Sequence, residues 1–329
     1  MKQLLIKILL FCLPLILVTI GYIISDPYQD MPFHQLHAFD IQMLSRGDIS
    51  TKLYLRNEPK YHYDSFIFGS SRATAHTARD WSKYLPKNSV PFSYGAWDEC
   101  VEGMYRKMNM IDSLKDHINN AFFVFDLDYS FTSGKITGDY YVITRAPKWN
   151  YYIDHYINYL HDPNMMLTSI DYKIFHKQRP YMDGFVGMTA NDWDPVNNDF
   201  EVNSESKIKA DSVGYYKNTL GKFYDRPVVQ QFSSPQIKSA QLASLQHIMA
   251  LLQKHQTRYK IVIAPLYNQL KLNPADRATL DAVFGQENIY DYSGINAITP
   301  NKFNYDFDVM HYRKKVGNFI FKKVYSRRE

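Results

Sequence analysis

Two short segments, far apart in the chain, hold the side chains whose types and spacing could do chemistry. Phe66-Ile67-Phe68-Gly69-Ser70-Ser71-Arg72 reads as a buried strand running into a small-residue turn with a serine at its tip. Asp308-Val309-Met310-His311 places a carboxylate three residues before an imidazole, just ahead of a helix-like C-terminal stretch. Together they offer the groups of a Ser-His-Asp hydrolase, in the chain order serine, aspartate, histidine. A serine hydroxyl is a poor nucleophile until a base takes its proton, and a neutral imidazole is the usual base. A carboxylate fixes the tautomer of that imidazole and stabilises its cation. Asp308 and His311 can lie side by side at the start of a helical turn, as such a pair. Gly69 lets the chain turn tightly as it leaves the strand. The helix expected after it aims free N–H groups at a developing oxyanion. The phase of the turn puts Ser71, rather than Ser70, at the tip.

These groups need a scaffold, and the apolar pattern supplies one. Short β-branched or aromatic runs occur at Ser65–Phe68, Pro91–Tyr94, Ala121–Leu127, Tyr259–Ala264 and Asn288–Tyr292. Continuous rather than alternating apolarity suits strands covered on both faces, as in a parallel sheet. Helix-like segments lie between them at about Cys100–Asn119 and Pro235–His255. Ser233-Ser234 are plausible caps for the second, which carries Ala240, Leu242, Leu245, Ile248 and Leu251-Leu252 at helical spacing. Such alternation predicts an α/β sandwich, in which ligands bind at the carboxyl ends of the strands. Ser71, Gly95 and Asp126/Asp128 all fall where a predicted strand stops. Between about 130 and 234 the pattern breaks into a stretch rich in Tyr, Asn, Asp and Pro. A structureless loop of that length is improbable in a folded domain, so an inserted, partly helical cap over the active face is expected.

With these residues in place, the chain resembles the SGNH/GDSL hydrolase superfamily. Gly69-Ser70-Ser71 sits where that superfamily carries its Gly-Asp-Ser block, with Ser71 at the nucleophile position. Gly95, in Phe92-Ser93-Tyr94-Gly95-Ala96, is similar to the second block, whose glycine N–H joins the oxyanion hole. Asp308-x-x-His311 matches the last block in spacing and in distance from the C-terminus. The resemblance implies a flavodoxin-like three-layer α/β/α sandwich over residues 64–329, covers most of 64–128 and 235–325, and leaves the 130–234 insertion outside. Two blocks depart from the pattern. Ser70 replaces the block-one aspartate, as is common in membrane-anchored branches, and the third block, Gly-x-Asn-Asp, has no match. The third strand ends Phe125-Asp126-Leu127-Asp128-Tyr129, so the asparagine donor of the oxyanion hole is missing, and an ionised Asp128 in its place would repel an oxyanion. The layout looks most like the branch around D-alanyl transfer in teichoic-acid modification, and like proteins that O-acetylate bacterial exopolysaccharides. Those relatives imply acyl transfer to or from a cell-surface polysaccharide, with a multi-pass membrane protein as acyl donor.

Residues from about Leu4 to Ile24 form one apolar stretch broken only by Lys7, close to the roughly 20 residues that cross a bilayer core as a helix. Lys2 and Lys7 put the N-terminus in the cytoplasm by the positive-inside rule. No small-x-small cleavage site follows the run, which favours an uncleaved signal anchor over a signal peptide. Residues 1–25 are thus expected to be the anchor and 26–63 a stalk. The domain from 64 on would be extracytoplasmic, on the periplasmic or outer surface.

Net charge is +5 over 329 residues, with the two lysines of the N-terminal segment contributing part of it. No run of Lys and Arg interleaved with aromatics points to nucleic acid. Cys12 and Cys100 offer no disulfide framework. The histidines outside the motif show no metal-ligand spacing apart from His34 and His37 in the stalk, and neither a metal nor another cofactor is expected. Tyrosine is abundant, at 27 residues, which suits either a glycan-stacking surface or a tyrosine-rich core. Arg72 and Asp128 are candidate substrate contacts, the alternative for Arg72 being an internal pairing with Asp98 or Asp128. Two function classes remain beside each other: a serine esterase or acyltransferase on a cell-envelope glycan, and a non-catalytic glycan- or partner-binding module of the same fold. A phosphate-binding protein using Gly69–Arg72 as an anion turn leaves Asp308 and His311 unexplained.

Overall fold

The run that leads to the Gly-Ser-Ser turn lies inside a five-stranded, all-parallel sheet. The computed structural model describes residues 2–31, 46–132, 149–182, 193–200, 203–306 and 309–326. They fall into two units, one of residues 1–44 and 146–191 and one of 45–145 and 192–329.

In chain order the elements begin with helices α1 (Lys2–Ser25) and α2 (Arg46–Tyr61), strand β1 (Ser65–Gly69), the single turn α3 (Ala78–Trp81) and β2 (Pro91–Ser93). Next come α4 (Val101–Ser113), β3 (Asn120–Phe125), α5 (Trp149–His161), α6 (Pro163–Phe175), α7 (Asn203–Ala210) and α8 (Ser212–Thr219). The chain continues through β4 (Gln231–Phe232), α9 (Ser239–Lys254), β5 (Arg258–Ile263) and β6 (Leu270–Lys271). It closes with α10 (Pro274–Phe284), β7 (Ile289–Asp291) and α11 (Lys314–Tyr325). The large sheet has the order β2-β1-β3-β5-β7, and β4 and β6 form a separate parallel pair.

Every residue of β1 and β3 is buried, because both faces of the sheet are covered. Alternate side chains of β3 point to opposite faces. Phe122 packs on Phe321 of α11 with ring centroids 4.8 Å apart, and on Trp81 of α3 at 6.1 Å. Phe123 stacks on Phe68 at 5.2 Å, and Phe125 meets Phe284 of α10 at 6.5 Å. Burying each such ring stabilises the fold by about 1.5–3 kcal/mol. The core is also rich in tyrosine: Tyr54, Tyr63, Tyr94 and Tyr305 are fully buried or nearly so.

Three boundaries differ from those expected. The sequence pattern predicts a stalk over 26–63, yet α2 belongs to the sheet unit. Ile49, Leu53 and Tyr54 are buried on one face of α2, and the Tyr54 ring stacks on Tyr94 at 5.3 Å while its hydroxyl donates to Asp116 Oδ2 at 2.6 Å. The rest of the buried surface of α2 is polar, Ser50 and Thr51 among it, so it does not stand out by composition. The helix expected from Pro235 begins at Ser239, because the Asp276 carboxylate takes the N–H groups of Gln236 (2.8 Å) and Ile237 (3.0 Å) and holds them extended. The 130–234 insertion is divided between the two units: α5 and α6 fall with the N-terminal residues, whereas 193–200, α7 and α8 fall with the sheet. Trp193 and Phe200 bridge to close a loop against β2, where Ser93 N–H donates to Asn197 O at 2.9 Å.

In the other unit, α6 packs closely on α1. A Cβ on Gly21 would lie 2.9 Å from Ile170 Cδ1. Tyr22 packs edge-on against Tyr156 and Tyr159 of α5, at 5.2 and 5.0 Å. Residues Ile6–Ser25 of α1 are long and apolar enough to cross a membrane, with mean hydropathy 2.6.

Gly69 ends β1 at φ +157°, where a Cβ would meet Val124 O at 2.8 Å and Ala73 Cβ at 2.9 Å. Gly69→Ala therefore forces β1 away from β3 just before the serines. It is expected to lower stability by about 1–3 kcal/mol, read by urea unfolding; unchanged stability would show that the turn tolerates a side chain.

Candidate active site

The two adjacent serines have different surroundings. Ser70 is extended (φ −70°, ψ −169°), and a 3-10 turn over Ser71–Ala75 follows it. Ala73 N–H donates to Ser70 O at 2.9 Å to close that turn. The Ser70 hydroxyl is buried and donates to Asp126 Oδ2 at 2.6 Å, whereas Ser71 is half-buried at the tip. The full helix expected after the serines is this short turn. The chain returns to extended geometry at His76, and α3 starts only after Thr77, whose hydroxyl accepts from Asp80 N–H. The buried Asp199 carboxylate takes the Ala78 and Arg79 N–H groups at 2.6 and 3.0 Å.

His311 arrives from the other end of the sequence. Its carbonyl accepts from Asp306 N–H at 2.8 Å, closing a loop, and Tyr305 and Tyr312 bridge on either side of it. The imidazole precedes α11 by three residues, outside the helical turn expected for it. Its Nε2 lies 2.7 Å from Ser71 Oγ, although 240 residues separate the two in the chain. With the proton on Nδ1, the Ser71 hydroxyl donates to Nε2, the geometry a general base requires. Asp308 lies outside the described residues.

The residue after His311 is anchored to the turn that carries Ser71. The Tyr312 hydroxyl lies 2.9 Å from His76 Nε2, and the His76 ring packs on Phe122 and Phe321 at 5.1 and 4.9 Å. Burial pulls the His76 pKa down from 6.5 to about 3. The unfolded chain thus binds a proton that the folded chain refuses, so this contribution is intact above pH 6.5 and is lost as the pH falls toward about 3. Between pH 7 and pH 5 it removes about 2 kcal/mol of stability. His76→Gln, neutral throughout, is expected to be less stable at pH 7 but to show a flatter loss on acidification. Parallel urea curves at the two pH values check this; an equal loss in both proteins would rule His76 out as the cause.

Gly95 sits beside the serine turn. Ala96 N–H donates to Gly69 O at 3.2 Å, Ser50 Oγ donates to Gly95 O at 2.8 Å, and a Cβ on Gly95 would come within 3.0 Å of Gly69 O. Ser71, Gly95, Thr74, Asn198 and Phe200 line one narrow cleft. Beneath it lies a buried ion pair that gave no signal in the sequence: Lys107 Nζ is 2.6 Å from Glu99 Oε1 and donates to Tyr94 O at 2.9 Å. Glu99 and Lys107 stand eight apart with nothing to distinguish them from surface charges. Burial pushes the Glu99 carboxyl up and the Lys107 ammonium down, each opposed by the other. Asn198 was also missed. It brings an amide to the cleft, but both amide hydrogens are used, on Ser50 Oγ (3.0 Å) and Ser93 O (2.6 Å), while Oδ1 accepts from Trp193 Nε1.

Arg72 and the carboxylates after β3 form one cluster. The Arg72 side chain is inaccessible, so it cannot be the substrate contact that its place beside Ser71 suggested. It pairs instead with Asp128 through Nη2 and with Asp126 at 3.5 Å, its guanidinium 4.9 Å from the Tyr129 ring centre. Asp126 Oδ1 further accepts the N–H groups of Asp128 (3.0 Å) and Tyr129 (2.8 Å). Asp128 keeps 38% of its side-chain surface exposed; burial of the rest raises its pKa against the pull of Arg72. The Arg72 cation offsets the negative charge of Asp128.

The geometry thus brings Ser71, His311 and Gly95 together at the carboxyl ends of β1 and β2 and assigns Arg72 to the scaffold. Among the described residues, no group of three or more His, Cys, Asp or Glu is placed to hold a metal ion. The chain matches no family model, and no curated protein matches it.

Proposed function

We propose that this chain is a membrane-anchored, extracytoplasmic serine esterase or acyltransferase acting on a cell-envelope polysaccharide. The observation that carries the reading is the 2.7 Å contact between Ser71 Oγ and His311 Nε2. Ser71 Oγ attacks the acyl carbon of the donor while its proton passes to His311 Nε2. The N–H groups of Ser71 and Gly95 receive the charge that develops on the carbonyl oxygen. His311 returns the proton to the departing group, leaving the acyl group on Ser71. A sugar hydroxyl or water, deprotonated by His311, then takes the acyl group and restores the enzyme. Asp308 would hold the His311 tautomer. The strand order of the large sheet is that of flavodoxin-like folds, which supports the SGNH-like reading. A multi-pass membrane protein is the acyl donor that this reading implies.

Retention of α1 as an anchor is supported by its packing. Cleavage after the span would strip Tyr22 from Tyr156 and Tyr159 of α5 and remove Gly21 from its place against Ile170 of α6. Lys2 and Lys7, on the N-terminal side of the span, support a sheet unit outside the cytoplasm. One observation favours the rival, a non-catalytic glycan-binding module: the residues after β3 are Asp126 and Asp128, not the asparagine of the third block. Fluorophosphonate labelling of the full chain decides between them. A folded protein that takes no label at Ser71 would refute the enzyme and leave the binding module.

A further inference from the structure

Helices α5 and α6 present to solvent what a globular surface ordinarily hides. Trp149, Ile153, Ile157 and Leu160 form one stripe along α5, at helical spacing, and Leu167 and Ile174 form another on α6. Trp149 is 82% exposed and Ile174 61%. Scattered apolar residues are ordinary on a surface; two aligned stripes on neighbouring helices mark an interaction site.

The occupant is indicated by what the hairpin packs on. Its contacts with α1 run through Thr19, Gly21 and Tyr22, at the C-terminal end of the apolar span. A membrane crossed by α1 therefore has its outer boundary at the level of this hairpin. Aromatic residues collect there: Tyr22 in contact with both Tyr156 and Tyr159, with Trp149 at the open end of α5. Such residues favour the headgroup level of a bilayer. Lys173 and Lys177 flank the exposed end of α6, and helices with one apolar and one basic flank lie in the interface plane.

We infer that α5 and α6 form an interfacial hairpin, seated with its apolar stripes in the outer leaflet of the membrane that α1 crosses. This rests on the anchor reading of α1. The occupant is the lipid surface itself, and α1 and the hairpin together make a broad foot rather than a single thread.

Trp149 reports the result directly. Of the four tryptophans, Trp81 and Trp193 are buried and Trp97 is half-buried. The difference between wild type and Trp149→Phe isolates the exposed one, and a change at so open a site leaves the fold intact. The full chain is reconstituted into phosphatidylglycerol–phosphatidylcholine vesicles, with and without bromine near the carbonyl end of the acyl chains. The expected result is a blue-shifted Trp149 emission that loses most of its intensity in brominated vesicles and resists aqueous iodide. Emission equal in both vesicle types and quenched by iodide overturns the inference; it is also what a face reserved for another membrane protein would give. A carbonate wash of the same vesicles tests the anchor separately. Wild-type chain that stays in the pellet while Trp149 remains open to iodide would refute the hairpin and leave the anchor standing.

Discussion

Ser71→Ala is expected to abolish fluorophosphonate labelling of the full chain and to lower ester hydrolysis by about four to six orders of magnitude, the effect of removing the proposed nucleophile. Labelling requires an oxygen that attacks phosphorus as its proton leaves, and among the serines of the described residues Ser71 is the one with an imidazole nitrogen in reach, at 2.7 Å. His311→Ala is expected to be nearly as severe, because serine and base act as a unit and their losses do not add. Ser70→Ala gives the informative contrast. It removes the 2.6 Å hydrogen bond to Asp126 and costs about 1–3 kcal/mol of stability, yet it leaves Ser71 and His311 in place, so labelling persists. Asp308→Asn is expected to keep the fold and lower turnover by about 10⁴-fold, through the wrong histidine tautomer. The measurements are gel-based labelling rates and hydrolysis of a short-chain ester. Label retained in Ser71→Ala, or lost in Ser70→Ala without loss of folding, would move the nucleophile or abolish the proposal.

What the sequence made legible, and what it hid, follows from the range of the interactions involved. Ile67 and Phe123 belong to runs apolar enough to be buried on both faces, so the strands and their carboxyl ends could be placed from local pattern alone. Ser71 and His311 could be paired because each sits in a motif of known order. The 3-10 turn after Ser71 was not legible, since Asp199, more than a hundred residues away, takes the N–H groups of Ala78 and Arg79. The late start of α9 has the same kind of cause in Asp276. Glu99 and Lys107 were invisible because a buried ion pair and a surface pair have the same composition. The faces of α5 are amphipathic in sequence, but only the packing of Tyr22 on Tyr156 and Tyr159 reveals which way they turn.

Arg72→Leu is expected to be the most destabilising single change in the site, at about 3–5 kcal/mol. Leucine fills much of the same volume, so the cost is electrostatic. Arg72 and Asp126 both have side chains with no exposure, and removing the cation leaves a carboxylate in the core with only the Ser70 hydroxyl and two backbone N–H groups for compensation. Asp128, already pushed up by burial, loses the one group that pulls it down most. For a domain of this size the loss corresponds to a drop in Tm of roughly 6–20 °C. Arg72→Lys should rescue only part of it, because an ammonium cannot span both carboxylates as a planar guanidinium does. Asp128→Asn combined with Arg72→Leu should recover part of the loss, by removing one of the two orphaned charges. The penalty belongs to the ionised carboxylates, so acidification should narrow the gap between Arg72→Leu and wild type. Thermal unfolding of the full chain in detergent micelles at pH 7 and pH 5 reads both effects. A Tm within 2–4 °C of wild type, the shift that about 1 kcal/mol produces, would mean that water reaches Asp126 and the cluster is not the rigid support of Ser71. A gap that widens in acid would locate the lost stability in packing around the Tyr129 ring rather than in charge.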